Sequence, residues 1–469
     1  MIEFLLFFLA SIIFSSGLIL IRGSFYTLAE RTLTQLNTLL NDTLEDSKKQ
    51  KLILTNTGNL LKWTLIFLGS LLLVIAFTTL PFLLYKQIVS EATYQTINFK
   101  SLKAIIAILL GAIIPFLMLS FIMKKNRSDY SELSILLHRL LLNNYFVSKM
   151  LFRVDKGLHR SRLENTNSNF VIVSGLARAG TTGLATMLSK TNAFHFLKYG
   201  DMPFLLSPNI WKKLNFSKNK QEKERQHGDQ VLMGYDSIEA LEEFFFKAFT
   251  NDAYIQKKVL LKHEIEEATY QEYINYQSLI QSPQKNSTLY LAKNNNLILR
   301  YASLRQKNDV FKAVFLFRDP VEHASSLLQQ HIRFGEIHLN NPFALEYMDW
   351  LGHHEFGLNH KHFQFLEGYN NIYEDQLTLN YWIEIWINYY EYLINFVNDT
   401  NLILISYSDL LSDPQKVMTS LAGKLQIKME VAEVNQFKTS TPSDASTINS
   451  ALLKRANDLY TELQRYKLN

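Results

Sequence analysis

One segment carries the clearest structural signal in this chain: Asn169-Phe-Val-Ile-Val-Ser-Gly-Leu-Ala-Arg-Ala-Gly-Thr-Thr-Gly-Leu184. It opens with an apolar run typical of a buried strand and continues into a loop bracketed by Gly175 and Gly180. A helix is expected to begin at the paired threonines, with Leu184 and Met187 on one face. A strand, loop and helix of this kind bind a phosphate, because backbone N–H groups and a helix N-terminus converge on one anion.

The loop differs from a Walker A sequence at one position. Gly175 and Gly180 stand at the two glycine positions and Thr182 at the final Ser/Thr position, but Thr181 replaces the lysine. That lysine reaches the β- and γ-phosphates of a nucleoside triphosphate, so its loss argues against hydrolysis of ATP or GTP. Arg178 supplies a cation at a different point of the loop. The segment therefore predicts an anion site for a nucleotide that is not a triphosphate.

A second segment, Lys312-Ala-Val-Phe-Leu-Phe-Arg-Asp-Pro320, has the apolar composition of a buried strand. Its Asp-Pro ending supplies a good N-cap and first helical residue, so a helix is expected over Val321–Phe334. Ser326 lies on this helix, eight residues after Arg318. An arginine binds a phosphate through two N–H groups, and a serine on a following turn can donate a further hydrogen bond beside it.

Together these segments resemble the sulfotransferase family. Arg178-Ala-Gly-Thr-Thr182 is similar to the family's loop for the 5′-phosphosulfate of 3′-phosphoadenosine 5′-phosphosulfate (PAPS), and Arg318 and Ser326 match the pair that the family places on the 3′-phosphate. A third segment, Tyr407-Ser-Asp-Leu-Leu-Ser-Asp-Pro414, resembles a family motif that ends in a helix start, and we assign its Asp-Pro a structural role only. The resemblance, which covers roughly residues 169–425, implies that PAPS is bound by Arg178, Ala179, Gly180, Thr181, Thr182, Gly183, Arg318 and Ser326.

The resemblance also implies two catalytic cations and a general base. Arg178 is the first cation, and Lys293 ends a short strand-like run where the family commonly has a lysine directed at the phosphosulfate. Cytosolic members have a histidine two residues farther on, but this chain has Asn295, which cannot accept a proton. Other branches use a carboxylate downstream of the loop, and Asp201, which follows Arg178 by 23 residues, is our predicted base.

Four more residues remain candidates for the base: Glu242, Glu243, His353 and His354. The two histidines belong to Trp350–Phe363, which holds four of the chain's twelve histidines. Their spacing does not fit a helix-borne zinc pair, so no metal is expected. With the aromatic residues that follow, this segment predicts an insertion at about 338–392, which forms either an acceptor pocket or lid or a packed structural addition.

Composition excludes several classes of protein. The chain has 469 residues, a net charge of +5 and no cysteine. This length exceeds one typical domain, so two or more regions are expected. Disulfides and thiolate metal sites are excluded. The small net charge, with no arginine-rich arm, gives no case for a nucleic-acid partner.

Three segments are long and apolar enough to span a bilayer, namely Phe4–Ile21, Leu61–Tyr85 and Ala104–Met123. The first lacks a basic n-region and a cleavage site, so we expect it to be retained. Lysine and arginine are more frequent in the loop 22–60 and after the third span than between the second and third. This asymmetry predicts a multi-pass membrane protein whose catalytic domain is cytoplasmic, where PAPS is found.

These features predict three regions: a transmembrane region over 1–125, a juxtamembrane helical connector over 126–168 and a sulfotransferase-like domain over 169–469. The last is expected to have an α/β fold of P-loop nucleotide-kinase type, a parallel sheet with helices on both faces. Its four strands are assigned to 170–174, 289–293, 313–318 and 402–406.

The predicted function is transfer of a sulfonate from PAPS to a hydroxyl or amine of an acceptor. A membrane location suggests a lipid or a glycan as that acceptor. Two alternatives remain open, a phosphotransferase with a degenerate P-loop and an inactive membrane-anchored scaffold that binds a nucleotide.

Overall fold

The structure, a computed structural model, describes residues 2–39, 46–95, 97–98, 101–123, 132–163, 168–214, 223–224, 232–233, 236–281, 289–366, 373–428 and 445–468. The chain divides into two compact units, Met1–Asn144 and Tyr145–Asn469.

The first unit is helical. Its helices are α1 (Ile2–Leu39), α2 (Asp46–Ile88), α3 (Glu91–Tyr94), α4 (Leu102–Met123) and α5 (Glu132–Leu142). Within the described residues, α1 and α2 are the two helices long and apolar enough to cross a membrane, by length and composition. The three spans expected from the sequence lie inside α1, α2 and α4.

Small residues let the apolar helices of this unit approach closely. A Cβ atom at Gly111 of α4 would lie 2.6 Å from the carbonyl oxygen of Phe8, and one at Gly17 would lie 2.6 Å from a methyl group of Val74. The hydroxyl of Ser11 donates to the carbonyl oxygen of Ile108 at 2.7 Å. Small residues and a polar side chain at a crossing are typical of helices that pack in an apolar solvent.

The second unit is an α/β domain. Its elements up to residue 293 are α6 (Tyr145–Leu158), α7 (Arg160–Leu163), β1 (Phe170–Gly175), α8 (Thr181–Ser189), β2 (Phe194–His195), α9 (Pro208–Leu214), β3 (Lys223–Glu224), β4 (Leu232–Met233), α10 (Glu243–Thr250), β5 (Val259–Leu261), α11 (Glu267–Ile280) and β6 (Leu289–Lys293). The rest are α12 (Tyr301–Lys307), β7 (Lys312–Phe317), α13 (Pro320–Asn340), α14 (Pro342–Leu351), β8 (His362–Gln364), α15 (Leu379–Leu393), β9 (Leu402–Ser406), α16 (Tyr407–Ser412), α17 (Pro414–Leu425) and α18 (Ser450–Arg465).

The main sheet has the strand order β2-β6-β1-β7-β9, and every neighbouring pair is parallel. The predicted parallel sheet is confirmed, and its four predicted strands are β1, β6, β7 and β9. The sequence missed β2, because two residues are too few to show a periodic pattern. With β1 between β6 and β7, the carboxyl ends of these three strands meet at one edge, where ligands bind in sheets of this kind.

Alternate residues of the strands face different helices. Val173, Val314 and Ile405 pack in one core with residues of α8 and α17. On the opposite face, the ring of Phe315 meets that of Tyr301 in α12, with centroids 5.8 Å apart. Both faces are therefore covered, which explains why the strands read as continuous apolar runs.

The helix starts predicted at Asp319 and Asp413 have the expected caps. A carboxylate oxygen of Asp319 accepts hydrogen bonds from the backbone N–H groups of Val321 and Glu322, both at 3.0 Å. Asp413 caps α17 in the same way, and a proline follows each cap. The first of these helices continues through Gly335 to Asn340, beyond the expected end at Phe334, and Pro342 begins the next helix.

The insertion after this helix contains α14, β8 and α15, and β8 pairs with β5 in parallel. Two histidines of α13 hold the short 3₁₀ turn Gly357–Asn359. His331 Nδ1 accepts from the backbone N–H of Gly357 at 3.2 Å, and His338 Nδ1 accepts from that of Leu358 at 3.1 Å. The insertion is therefore attached to the helix that carries Ser326.

Candidate active site

The loop after β1 has the backbone of an anion site. Gly180 has a φ of 99° and directly precedes α8, and Arg178 has a φ of 71°. Both values lie in the left-handed region, which glycine adopts without strain and arginine does not. This geometry turns the chain back over the end of β1 and leaves the first N–H groups of α8 without partners inside the helix.

The helix after β7 contacts this loop at two points. Arg178 Nε donates to Ser326 Oγ at 3.2 Å. Three residues earlier in the helix, His323 Nε2 lies 2.7 Å from the carbonyl oxygen of Ala177. The loop and the Arg-Ser segment, about 140 residues apart in sequence, therefore belong to one site.

His323 was missed by the sequence reasoning. It is fully buried, and burial lowers its pKa to about 3, so the imidazole is neutral at pH 7. Because a carbonyl oxygen can only accept, Nε2 carries the proton and donates to Ala177. The only signal for it in the sequence is its position on the inner face of a helix, three residues before Ser326.

Tyr407 connects the loop to Arg318. The guanidinium carbon of Arg318 lies 4.8 Å from the centroid of the Tyr407 ring, a cation–π distance. A Cβ atom at Gly180 would lie only 2.7 Å from Cδ2 of the same ring. Arg318 also pairs with Glu322 at 3.3 Å. Only the Asp-Pro of this third segment was assigned a role from the sequence, a structural one, and Tyr407 lies between Arg318 and the Gly180 turn.

Lys293 is the last residue of the neighbouring strand β6, and Asn295 lies two residues beyond it. Lys293 is the register partner of Val173, and its Nζ lies 3.8 Å from a carboxylate oxygen of Glu239. Asn295 is buried, and its Oδ1 accepts from the hydroxyl of Thr181 at 3.4 Å. The end of β6 therefore lies beside the first residue of α8.

A family model described as a sulfotransferase domain matches residues 168–450, more than half of the chain. The chain belongs to the sulfotransferase family. The match includes β1, its loop, Lys293, Arg318, Ser326 and Tyr407.

Solved sulfotransferases are similar to this one at low sequence identity. STF1 from Mycobacterium tuberculosis H37Rv is 13% identical over 65% of this chain and 80% of its own, with a TM-score of 0.39. STF9 from Mycobacterium avium is 11% identical over 71% and 78%, with a TM-score of 0.37. The sulfotransferase domain from the curacin biosynthetic pathway is 13% identical over 65% and 100%, with a TM-score of 0.31. No curated protein matches this chain, and the family assignment rests on the family model alone.

Asp201, the predicted base of this sulfotransferase, lies in the 3₁₀ turn Tyr199–Asp201. Its Oδ2 accepts from the backbone N–H of Lys198 at 2.8 Å. Burial raises the pKa of Asp201, and Lys212 and the bond from Lys198 oppose that rise. These contacts describe a carboxylate that caps its own turn, and its role as base stays a prediction.

The two glutamates have buried partners. Both carboxylate oxygens of Glu243 accept from the guanidinium of Arg300 at 2.6 Å. Burial opposes ionisation of Glu243, but Arg300 outweighs it and lowers the pKa of the carboxyl group. Glu242 accepts from Asn294 at 3.0 Å and from the Tyr273 hydroxyl, and burial raises its pKa. These contacts hold the start of α10 against Asn294, which follows β6, and against Arg300, which precedes α12.

The histidine-rich segment of the sulfotransferase lies near the loop. His354 is buried, and burial lowers its pKa to about 3, so it is neutral. His353 Nδ1 lies 3.7 Å from Oε2 of Glu355, whose Oε1 accepts from Asn295 at 3.1 Å. Glu355 was not among the residues predicted from the sequence as the general base. Because Asn295 cannot accept a proton, a base was expected elsewhere in the chain. Among the described residues, no three His, Asp or Glu side chains are arranged to hold a metal ion.

Proposed function

We propose that this sulfotransferase transfers a sulfonate from PAPS to a hydroxyl or amine of an acceptor. The hydrogen bond between Arg178 and Ser326 supports this proposal best, because it joins the loop for one end of the donor to the segment for the other. Family membership supplies the sulfonate transfer and a hydroxyl-bearing acceptor, and PAPS is the donor that the two phosphate-binding motifs fit.

The residues present fit both anionic ends of the donor. The N-terminus of α8, with Arg178, would hold the 5′-phosphosulfate, together with Ala179, Gly180, Thr181, Thr182 and Gly183. Arg318 would bind the 3′-phosphate, beside Ser326. Since Ser326 Oγ accepts from Arg178, its own hydroxyl hydrogen remains available to donate to that phosphate.

Catalysis in this proposal depends on positioned charge. Sulfuryl transfer resembles phosphoryl transfer, with an in-line, loose transition state whose charge is spread over the equatorial oxygens. Arg178 and Lys293 would stabilise that charge from two sides of the loop, Lys293 held by Glu239. Removal of one preorganised donor of this kind costs about 2.7–4 kcal/mol of barrier. No metal is needed, because the leaving group is a phosphate that the loop already binds.

The helical first unit supports a membrane-bound enzyme. We propose that α1, α2 and α4 span the bilayer and that the catalytic unit is cytoplasmic, in line with the asymmetry of lysine and arginine along the sequence. The proposed regions remain 1–125, 126–168 and 169–469, and the acceptor would be a lipid or a glycan.

Binding of adenosine 3′,5′-bisphosphate to the full-length protein in detergent, with EDTA present, tests the donor assignment. Calorimetry should show binding without metal, and Arg318→Ala should weaken it by about tenfold or more, because a phosphate loses a charge-assisted partner. Arg333→Ala is the matched control, since Arg333 is exposed on the same helix. In a second titration with Mg²⁺ in place of EDTA, metal-dependent binding of ATP would instead favour the phosphotransferase. Binding of the bisphosphate without any transfer would favour the scaffold, and binding of neither nucleotide would contradict the donor assignment.

Transfer is tested with radiolabelled PAPS and extracts of lipids and glycans. The wild type should label a product, and Arg178→Ala should reduce the rate by about 100-fold or more. No labelled product across these extracts would contradict the enzymatic proposal.

A further inference from the structure

Asn295 joins the donor loop to a carboxylate of the insertion. Its Oδ1 accepts from Thr181 Oγ1 at 3.4 Å, and its Nδ2 donates to Glu355 Oε1 at 3.1 Å. Thr181 is the first residue of α8, at the proposed phosphosulfate site. The Asn295 amide therefore links this site to Glu355, which lies 60 residues after Asn295 in the sequence.

Glu355 is held in its ionised form. Burial favours the neutral carboxyl group, but His353 and the hydrogen bond from Asn295 outweigh burial and lower the pKa of Glu355 to about 2. The side chain keeps 15% of its surface exposed. At neutral pH it is therefore a carboxylate that only accepts hydrogen bonds and that an incoming molecule can reach.

Glu355 also lines a cavity beside the donor loop. The cavity itself is small, about 20 Å³, which is room for about one water-sized group, and it opens to solvent. Leu176 and Ala177 of the loop line one part of it, and Phe363 and Trp382 of the insertion line another. The carboxylate and the loop thus face one small space, which has room for a hydroxyl group at its mouth.

We infer that this cavity receives the acceptor hydroxyl and that Glu355 is the general base, an inference that rests on the proposed function. The acceptor oxygen forms a bond to sulfur, and the bond from sulfur to the 5′-phosphate oxygen breaks. The electron pair of that bond leaves with adenosine 3′,5′-bisphosphate. The hydroxyl proton passes to a carboxylate oxygen of Glu355 and then to water. Asn295 and His353 are positioning residues, because each contacts one oxygen of the carboxylate.

A carboxylate of low pKa suits this step for two reasons. In a loose transition state the bond to the nucleophile is little formed, so the hydroxyl loses its proton late, when it has become acidic. Binding of an anionic donor beside Thr181 also adds negative charge near Glu355, and like charges raise the pKa of a carboxyl group. Both effects reduce the difference between the pKa of Glu355 and the pKa of the acceptor hydroxyl when the proton is transferred.

The other carboxylates near the sheet edge have different partners. Asp201 accepts from the backbone of its own turn, and Glu243 is paired with Arg300 inside the protein. Among these groups Glu355 is the one that both lines the cavity and contacts a residue bonded to the donor loop. The inference therefore assigns the base to Glu355 in place of Asp201.

The test compares Glu355→Gln with Glu336→Gln in the full-length protein in detergent. Glu336 is an exposed carboxylate on α13, so it controls for loss of one negative charge. Radiolabelled PAPS is supplied with water alone, with a bacterial lipid extract and with a glycan extract. Label is counted in every product, including released sulfate, and calorimetry measures binding of adenosine 3′,5′-bisphosphate to each protein.

Glu355→Gln should bind the bisphosphate as the wild type does and should lower transfer by about 100-fold or more, whereas Glu336→Gln should change neither. Transfer by Glu355→Gln within about threefold of the wild type overturns the assignment of the base. So does intact bisphosphate binding by a wild type that labels no product. Failure of the wild type to bind the bisphosphate overturns the donor assignment itself, which separates the two proposals.

Discussion

The contact between Gly180 and Tyr407 can be tested with a double-mutant cycle. Gly180→Ala places a Cβ atom 2.7 Å from Cδ2 and 2.8 Å from Cε2 of the Tyr407 ring, where ordinary contact begins at 3.4 Å. The ring must therefore move by about 0.7 Å, away from the loop. Because the same ring lies 4.8 Å from the Arg318 guanidinium, this movement also disturbs the proposed 3′-phosphate site.

Two separable costs add up to the expected loss of stability. The φ of 99° at Gly180 costs alanine about 1–2 kcal/mol, whatever the neighbouring side chain. The clash with the buried ring costs about 1–3 kcal/mol more, the range for overpacking of a core. We therefore expect Gly180→Ala to lower the free energy of unfolding by about 2–5 kcal/mol. In a Tyr407→Ala background only the first cost remains, so the loss should fall to about 1–2 kcal/mol.

Urea unfolding of the wild type, both single variants and the double variant measures the coupling energy. A value of about 1–3 kcal/mol, with weaker binding of adenosine 3′,5′-bisphosphate by each single variant, supports the arrangement. Equal losses of stability from Gly180→Ala in both backgrounds would refute the reasoning, because the ring and the turn would then not touch.

Three further predictions concern charge. Arg300→Met leaves the buried carboxylate of Glu243 without its cation and should lower the free energy of unfolding, measured with urea, by about 3–5 kcal/mol. The double variant Arg300→Met, Glu243→Gln should recover part of this lost stability in the same titration. His353 lowers the pKa of Glu355, so His353→Gln should raise it. The rate of transfer should then begin to fall at a higher pH than in the wild type as the solution is acidified. An unchanged pH profile would show that His353 does not act on Glu355. Burial lowers the pKa of His323 and of His354 from an ordinary 6.5 to about 3. Between pH 3 and pH 6.5 the unfolded chain therefore binds more protons than the folded chain. The free energy of unfolding that the protein has above pH 6.5 should consequently decrease as the pH falls through this range. At pH 5 the loss should be about 4 kcal/mol for the two residues, and unfolding at pH 7 and pH 5 should show a smaller loss in His354→Gln.

The sheet could be predicted from sequence because its signals are local. The strand of Phe170–Gly175 is an apolar run that ends in a glycine-bracketed loop, and the cap at Asp319 is a two-residue pattern. The order of the strands is not local. β1 and β7 could each be assigned from the sequence. Only the structure shows that they are neighbours in the sheet, because Val173 pairs with Val314.

The same distinction explains what was missed at the candidate site. Arg178 and Ser326 were found because each belongs to a motif of its own, whereas Tyr407 matters only because β9 ends beside β7. Glu355 belongs to no motif, since it lies between His354 and Phe356 and its partner Asn295 is 60 residues away in the sequence. In our inference the two tasks are divided between two elements: the amide of Asn295 contacts the loop, and the proton acceptor, Glu355, belongs to the insertion. The packing of α13 against the turn Gly357–Asn359, which begins two residues after Glu355, then determines where the proposed base lies relative to the loop.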